Sequence, residues 1–169
     1  MAMRALLFAL VLAPALLAAG CRSAPAWMKN GMPAPELEGT TVDGRPVRLS
    51  AERGKAAVVV FFADWCPYCR ELYPAERELA TRMSGSPFVL IGVAPHNAAA
   101  EIRDASVRER ISWPVILDAD QRNVTAWGVD GIPTTYVIDA NGVIRGFDLK
   151  GSSLVEAADA LIAEAKAAK

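Results

Sequence analysis

The run Ala57 to Phe62, AVVVFF, followed at once by Ala63-Asp64-Trp65-Cys66-Pro67-Tyr68-Cys69, narrows the folds open to this chain more than any other stretch. A continuous β-branched and aromatic run with almost no polar face suits a strand buried on both sides. Phe88 to Val93, FVLIGV, is a second such run, and Val115-Ile116-Leu117 is a shorter third. Between them, Pro67 to about Met83 and Ala98 to about Ile111 have helix-forming compositions. Strands alternating with helices predict a parallel sheet with helical crossovers. The second helix has a thin apolar stripe of Ile102, Val107 and Ile111.

Turn chemistry adds strands of the other direction. Asp43-Gly44 separates Thr40-Thr41-Val42 from Pro46-Val47-Arg48-Leu49, which predicts an N-terminal β-hairpin. Asn141-Gly142 separates Thr134 to Asp139 from Val143 to Phe147, a second hairpin, so the sheet is expected to be mixed. The chain closes with an amphipathic helix. Its predicted start is Ser153, paired with Glu156 in a capping box, and its apolar face is Leu154, Val155, Ala158, Leu161, Ile162 and Ala165. No internal repeat is evident.

The two cysteines after the first strand carry the chemistry. Pro67 suits the first turn of a helix, where a missing N–H is no loss, so Cys66 and Cys69 share that turn and one helix face. That spacing can close into a disulfide and open again with small movements. Orphan N–H groups and the positive helix end favour a thiolate at Cys66, whereas Cys69 lies deeper and keeps its proton. Cys66 is therefore the expected attacking thiol and Cys69 the resolving one. A structural zinc needs four ligands, and the chain has no second cysteine pair and a single histidine, His96. A purely structural disulfide across so short a loop would stabilise little.

The 169-residue chain begins with an apolar run, Ala5 to Ala19, behind Arg4. It is too short to span a bilayer comfortably and reads as a signal-peptide core. Leu17-Ala18-Ala19-Gly20-Cys21 resembles a bacterial lipobox, in which the signal is cut before a cysteine that then carries lipid. With Cys21 as the lipid attachment site, the three cysteines leave one pair and no orphan thiol in an oxidising compartment. Residues 1–20 are thus expected to be a lipoprotein-type signal peptide, 21–35 a tether rich in Ala, Pro and Gly, and 36–169 one domain. A net charge of −1 gives no reason to expect a nucleic-acid partner.

The strand end at Phe61-Phe62, the segment through Cys69 and Pro74 in the following helix together resemble the active-site segment of the thioredoxin superfamily. With Gly131-Ile132-Pro133-Thr134-Thr135-Tyr136-Val137-Ile138-Asp139 and Asn141-Gly142, the chain looks like the TlpA/ResA-like branch of exported, membrane-attached thiol-disulfide oxidoreductases. The resemblance implies an α/β, thioredoxin-like fold with a central mixed sheet flanked by helices. It implies a cis bond before Pro133, a helix kink at Pro74 and a substrate-docking surface of Trp65, Pro67, Tyr68, Ile132 and Pro133. Ile132 would pair with an extended substrate chain like an added strand.

Two positions depart from the pattern. Thioredoxins carry a buried aspartate where this chain has Val60, and many TlpA/ResA-like proteins carry a glutamate where it has Leu72. Water or a carboxylate placed by the fold, Asp64 or Glu71, is the candidate replacement as proton acceptor, although Glu71 points about 100° from Leu72 on a helix. The expected function is a membrane-anchored oxidoreductase, outside the cytoplasmic membrane or in the periplasm, acting mainly as a reductase of exported proteins such as apocytochromes. Its partners would be disulfide-containing exported proteins and a membrane electron donor or acceptor. No cofactor or metal is expected, and the protein is expected to be a monomer. Alternatives are a thiol oxidase or isomerase and a copper-handling protein whose two thiolates bind Cu(I). Peroxide chemistry would need a threonine and an arginine at the thiol, a pattern that Arg70 and Thr81 do not fit.

Overall fold

The computed structural model describes residues 30–168. The signal segment 1–20, Cys21, Trp27 and most of the tether lie outside the described residues. The elements in chain order are β1 (Glu38–Thr40), β2 (Pro46–Arg48), β3 (Ala56–Phe61), α1 (Pro67–Arg70), α2 (Tyr73–Arg82), β4 (Phe88–Ala94), α3 (Ala99–Glu109), β5 (Val115–Leu117), α4 (Arg122–Ala126), β6 (Thr134–Ile138), β7 (Ile144–Phe147) and α5 (Gly151–Ala167). A 3-10 turn, Leu49–Glu52, follows β2.

Five strands form the central sheet in the order β5-β4-β3-β6-β7. β3, β4 and β5 are parallel neighbours, while β6 runs antiparallel to β3 and to β7. This is the mixed sheet expected from the sequence. Every residue of β3 and β4 is buried, because both faces are covered. Ala56, Val58, Val60 and Phe62 face one core with Tyr73, Leu79, Leu154 and Ala158. Ala57, Val59 and Phe61 face the other, with Leu37, Trp127, Tyr136 and Ile138. In that second core Trp127 and Tyr136 meet edge to face at 4.9 Å, and the Tyr136 hydroxyl donates to the Trp127 carbonyl.

The N-terminal hairpin β1–β2 is present, with Gly44 in the turn at φ +83°. It docks on the outer edge of β5, where the Val42 N–H donates to the Val115 carbonyl. The folded unit begins earlier than the expected boundary at Glu36. Gly31 and Ala34 donate to the carbonyls of Ile144 and Gly142, and Ile144 donates to Met32. One N-terminal segment therefore supplies hydrogen-bond partners at both sheet edges, which would otherwise expose open backbone groups.

The kink implied at Pro74 is present: the helical stretch expected over Pro67 to Met83 divides into α1 and α2, because Pro74 has no N–H to continue the ladder. Two local expectations are corrected. Val107, placed on the apolar stripe of α3, is 84% exposed, and only Ile102 and Ala105 of that helix are buried. Ser153 does not start α5. It lies inside the first turn, where its Oγ accepts from the Lys150 N–H, and Gly151 at φ +55° turns the chain into the helix. No sequence signal marks α4, a single short helix whose first turn is held by the buried Asp118 carboxylate accepting from the N–H groups of Asn123 and Val124.

Candidate active site

Both cysteines sit where β3 ends and α1 begins. Cys66 is the residue before the helix, with extended φ/ψ of −80°/116°, and Pro67 occupies the first helical position. Both thiols are free and buried, with Cys66 5% and Cys69 1% exposed. The connecting loop is tied down on two sides. Asn97, after β4, accepts from the Asp64 N–H and donates to the Asp64 carboxylate, and Arg70 reaches back to donate twice to the Asp64 carbonyl. Asn97 is held in turn by Glu101, whose carboxylate accepts from the Asn97 amide and the Ala98 N–H. The bond from Asn97, then the one from Ala98, keeps the Glu101 carboxyl below its usual range.

The segment before β6 closes the site. The Ile132–Pro133 bond is cis, and the Cys66 Sγ lies 4.0 Å from the Ile132 carbonyl oxygen. The β6 ladder starts only at Thr134, opposite Phe61, so Ile132 stands outside the sheet pairing. Trp65 and Tyr68 are exposed at 56% and 69%, which is unusual for side chains of their size. Beside them runs an open groove of about 550 Å³ lined by Tyr68, Glu71, Leu72, Ile132, Pro133 and Phe147, among others. Phe147, on β7, is the third exposed aromatic of this region. A larger cleft of about 930 Å³ lies between the N-terminal hairpin and the β5–α4 connection, and none of the expected site residues line it.

The structure thus brings Trp65, Cys66, Pro67, Tyr68 and Cys69 to one helix start, with Ile132 and Pro133 facing them. Cys21 lies outside the described residues. His96 is an exposed loop residue. The guanidinium of Arg70 is committed to the Asp64 carbonyl, and the Thr81 hydroxyl donates to the Glu78 carbonyl, so neither forms a peroxide site with Cys66.

Burial pushes the Cys69 thiol up to about 12, and the Cys66 sulfur and the charge of Glu76 act in the same direction, against a lowering bond from the Ala63 backbone. Of the two acids considered from sequence, Glu71 is exposed on the groove side, and Asp64 is engaged by Asn97, with Arg108 3.8 Å away. Sequence reasoning missed Glu76. It is 1% exposed, one carboxylate oxygen has no hydrogen-bond partner, and burial pushes its carboxyl up to about 8. The available signal was its place on the apolar stripe of α2, three residues after Tyr73 and three before Leu79.

The fold and this arrangement define a thioredoxin-like protein with a Cys-X-X-Cys site. The chain belongs to the AhpC/TSA family, whose model matches residues 30–147. It is 27% identical over 115 residues to the thiol-disulfide oxidoreductase ResA of Geobacillus thermodenitrificans, a match covering 68% of this chain and 66% of that protein, just under two thirds of its length. It is also 29% identical over 123 residues to the thioredoxin-like protein YneN of Bacillus subtilis, 70% of each chain. Among solved structures, it resembles a thioredoxin-family thiol:disulfide interchange protein from Chlorobium tepidum, with a TM-score of 0.68, 29% identity, and coverage of 79% of this chain and 98% of the other. The thioredoxin domain of a Bacteroides vulgatus thiol-disulfide oxidoreductase shares the fold, with a TM-score of 0.73 at 21% identity over 79% of this chain and 98% of that one. These relatives agree with the TlpA/ResA-like resemblance read from the sequence.

Proposed function

We propose that this chain is a thiol-disulfide oxidoreductase in which Cys66 and Cys69 exchange a dithiol for a disulfide with protein substrates. The observation that carries this reading is a buried cysteine pair at a helix start, facing the Ile132 carbonyl and bordered by exposed aromatics. The Cys66 thiolate attacks a substrate disulfide, forming a mixed disulfide and releasing one substrate thiol. Cys69 then attacks the Cys66 sulfur, the second substrate thiol leaves, and two electrons have passed to the substrate. Trp65, Tyr68 and Phe147 supply apolar area to an extended segment, and Ile132 offers its backbone as to an added strand.

The finer reading is a reductase of exported proteins, such as apocytochromes, anchored by lipid on Cys21 and supplied with electrons by a membrane partner. A Cys69→Ser variant tests the exchange, since it should accumulate a mixed disulfide through Cys66 with a peptide disulfide and release it on reduction. Loss of that adduct in Cys66→Ser, Cys69→Ser is the expected control. An adduct that forms without Cys66 would contradict the assignment. Lipidation is checked separately by incorporation of labelled fatty acid, which should vanish in Cys21→Ala.

A further inference from the structure

Resolution by Cys69 requires that a thiol buried to 1% exposure, and held above its ordinary range by that burial, give up a proton. Cys69, Tyr73 and Glu76 are spaced by four and then three residues, which places them on one side of the kinked α1–α2 helix. The helical course is kept across the break, since Glu71 and Leu72 retain right-handed helical dihedrals and the Glu76 N–H donates to the Leu72 carbonyl. All three side chains are 1% exposed. The Tyr73 hydroxyl and one Glu76 oxygen have no hydrogen-bond partner, so two unsatisfied polar atoms lie buried on the helix side that carries Cys69. A buried polar atom left unpaired is destabilising and asks for a reason.

From this geometry we propose that Glu76 is the proton partner of Cys69. As Cys69 turns on the mixed disulfide at Cys66, its Sγ–H proton passes to the Glu76 carboxylate, its sulfur bonds to the Cys66 sulfur, and the substrate thiolate leaves with the electron pair. In the reverse direction, Glu76 returns the proton to Cys69 as the disulfide opens. A carboxyl raised to about 8 suits the task, since a base works best with its pKa near the operating pH. The groups that bear on this cluster are Cys66, Arg77 on the solvent side of α2, Glu109 at the end of α3 and Asp64 before α1. Arg77 donates to the Glu109 carbonyl, so its charge is turned toward the end of α3. Facing α2 from α5 and β4 are apolar side chains such as Leu154, Ala158, Leu161 and Leu90.

This inference rests on the oxidoreductase reading, and the test separates the two. The Cys66–glutathione mixed disulfide is formed on the protein and its loss to the intramolecular disulfide is timed between about pH 6 and 9. The wild-type rate should rise and level near pH 8, whereas Glu76→Gln should be slower by about 100-fold at neutral pH and lack that inflection. Equal rates and profiles in the two proteins would overturn the role of Glu76 alone. A wild-type mixed disulfide that Cys69 never resolves would overturn the oxidoreductase reading with it. Should Glu76→Gln fail to fold, the Glu76 carboxyl carbon of the wild type is titrated by NMR in the dithiol and disulfide forms. Different titration midpoints in the two forms support the coupling, and identical midpoints overturn it.

Discussion

Glu76 links the stability of the protein to pH as well as its chemistry. Its folded pKa, about 8, lies above the ordinary carboxyl value of 4.5. Between those values the folded protein keeps the proton while the unfolded chain has lost it, so stability falls as pH rises. The contribution is fully present below about pH 4.5 and lost by about pH 8. The size follows from about 1.4 kcal/mol per pKa unit, which makes the loss roughly 3–5 kcal/mol. Urea midpoints measured at pH 5 and pH 8 should drop for the wild type and change little for Glu76→Gln. A wild-type midpoint that rises over this interval would contradict the burial account. The cysteines were legible because Pro67 and the spacing of Cys66 and Cys69 are local facts. Glu76 was not, because a carboxyl on an apolar stripe can swing to solvent unless packing closes over it. Here packing leaves it 1% exposed, and no local pattern announces that.

At the scale of elements, the loop between β3 and α1 positions the site. Asn97 and Arg70 hold the loop before α1 from opposite sides, so the position of Cys66 depends on the β4–α3 connection as well as on its own helix. Asn97→Ala should leave the fold intact and slow exchange at Cys66 several-fold, read as the rate of alkylation of Cys66 against the wild type. A misplaced thiol loses rate steeply with distance. An unchanged rate would show that Arg70 alone suffices. The hairpin contact makes a separate demand. A Cβ on Gly39 would clash with the Cγ2 of Ile116, so Gly39→Ala should destabilise the protein by about 1–3 kcal/mol by overpacking. A denaturation midpoint equal to that of the wild type would mean the hairpin shifts freely on β5. The strands β3 and β4 were read within a residue or so because their apolar runs have no polar interruption. The first turn of α5 and the exposure of Val107 were misread because helix starts and thin stripes depend on neighbours, here Gly151 and the packing of α3 through Ile102 and Ala105 alone.

Across the whole molecule, the N-terminal segment ties the fold together. It pairs with β7 through residues 31–34, forms the hairpin and reaches the β5 edge, while Trp127 donates to the Glu36 carbonyl beneath it. The mixed sheet follows from two sequence signals that act at different ranges, buried parallel runs and Gly-containing turns. The docking of the segment at both edges does not, since such pairing joins residues about seventy positions apart at β5 and more than a hundred apart at β7. The site opens at the carboxyl end of β3, with the groove, the exposed aromatics and Ile132 on one side of the molecule. The proposed reductase direction sets a thermodynamic condition on that site. The most direct test is the reduction potential of the Cys66–Cys69 couple in the full chain, measured by equilibration against glutathione. A single two-electron couple well below about −220 mV is the predicted result for a reductant. A potential near about −120 to −180 mV would reverse the direction proposed here, and the absence of any reversible couple would contradict the account at its centre.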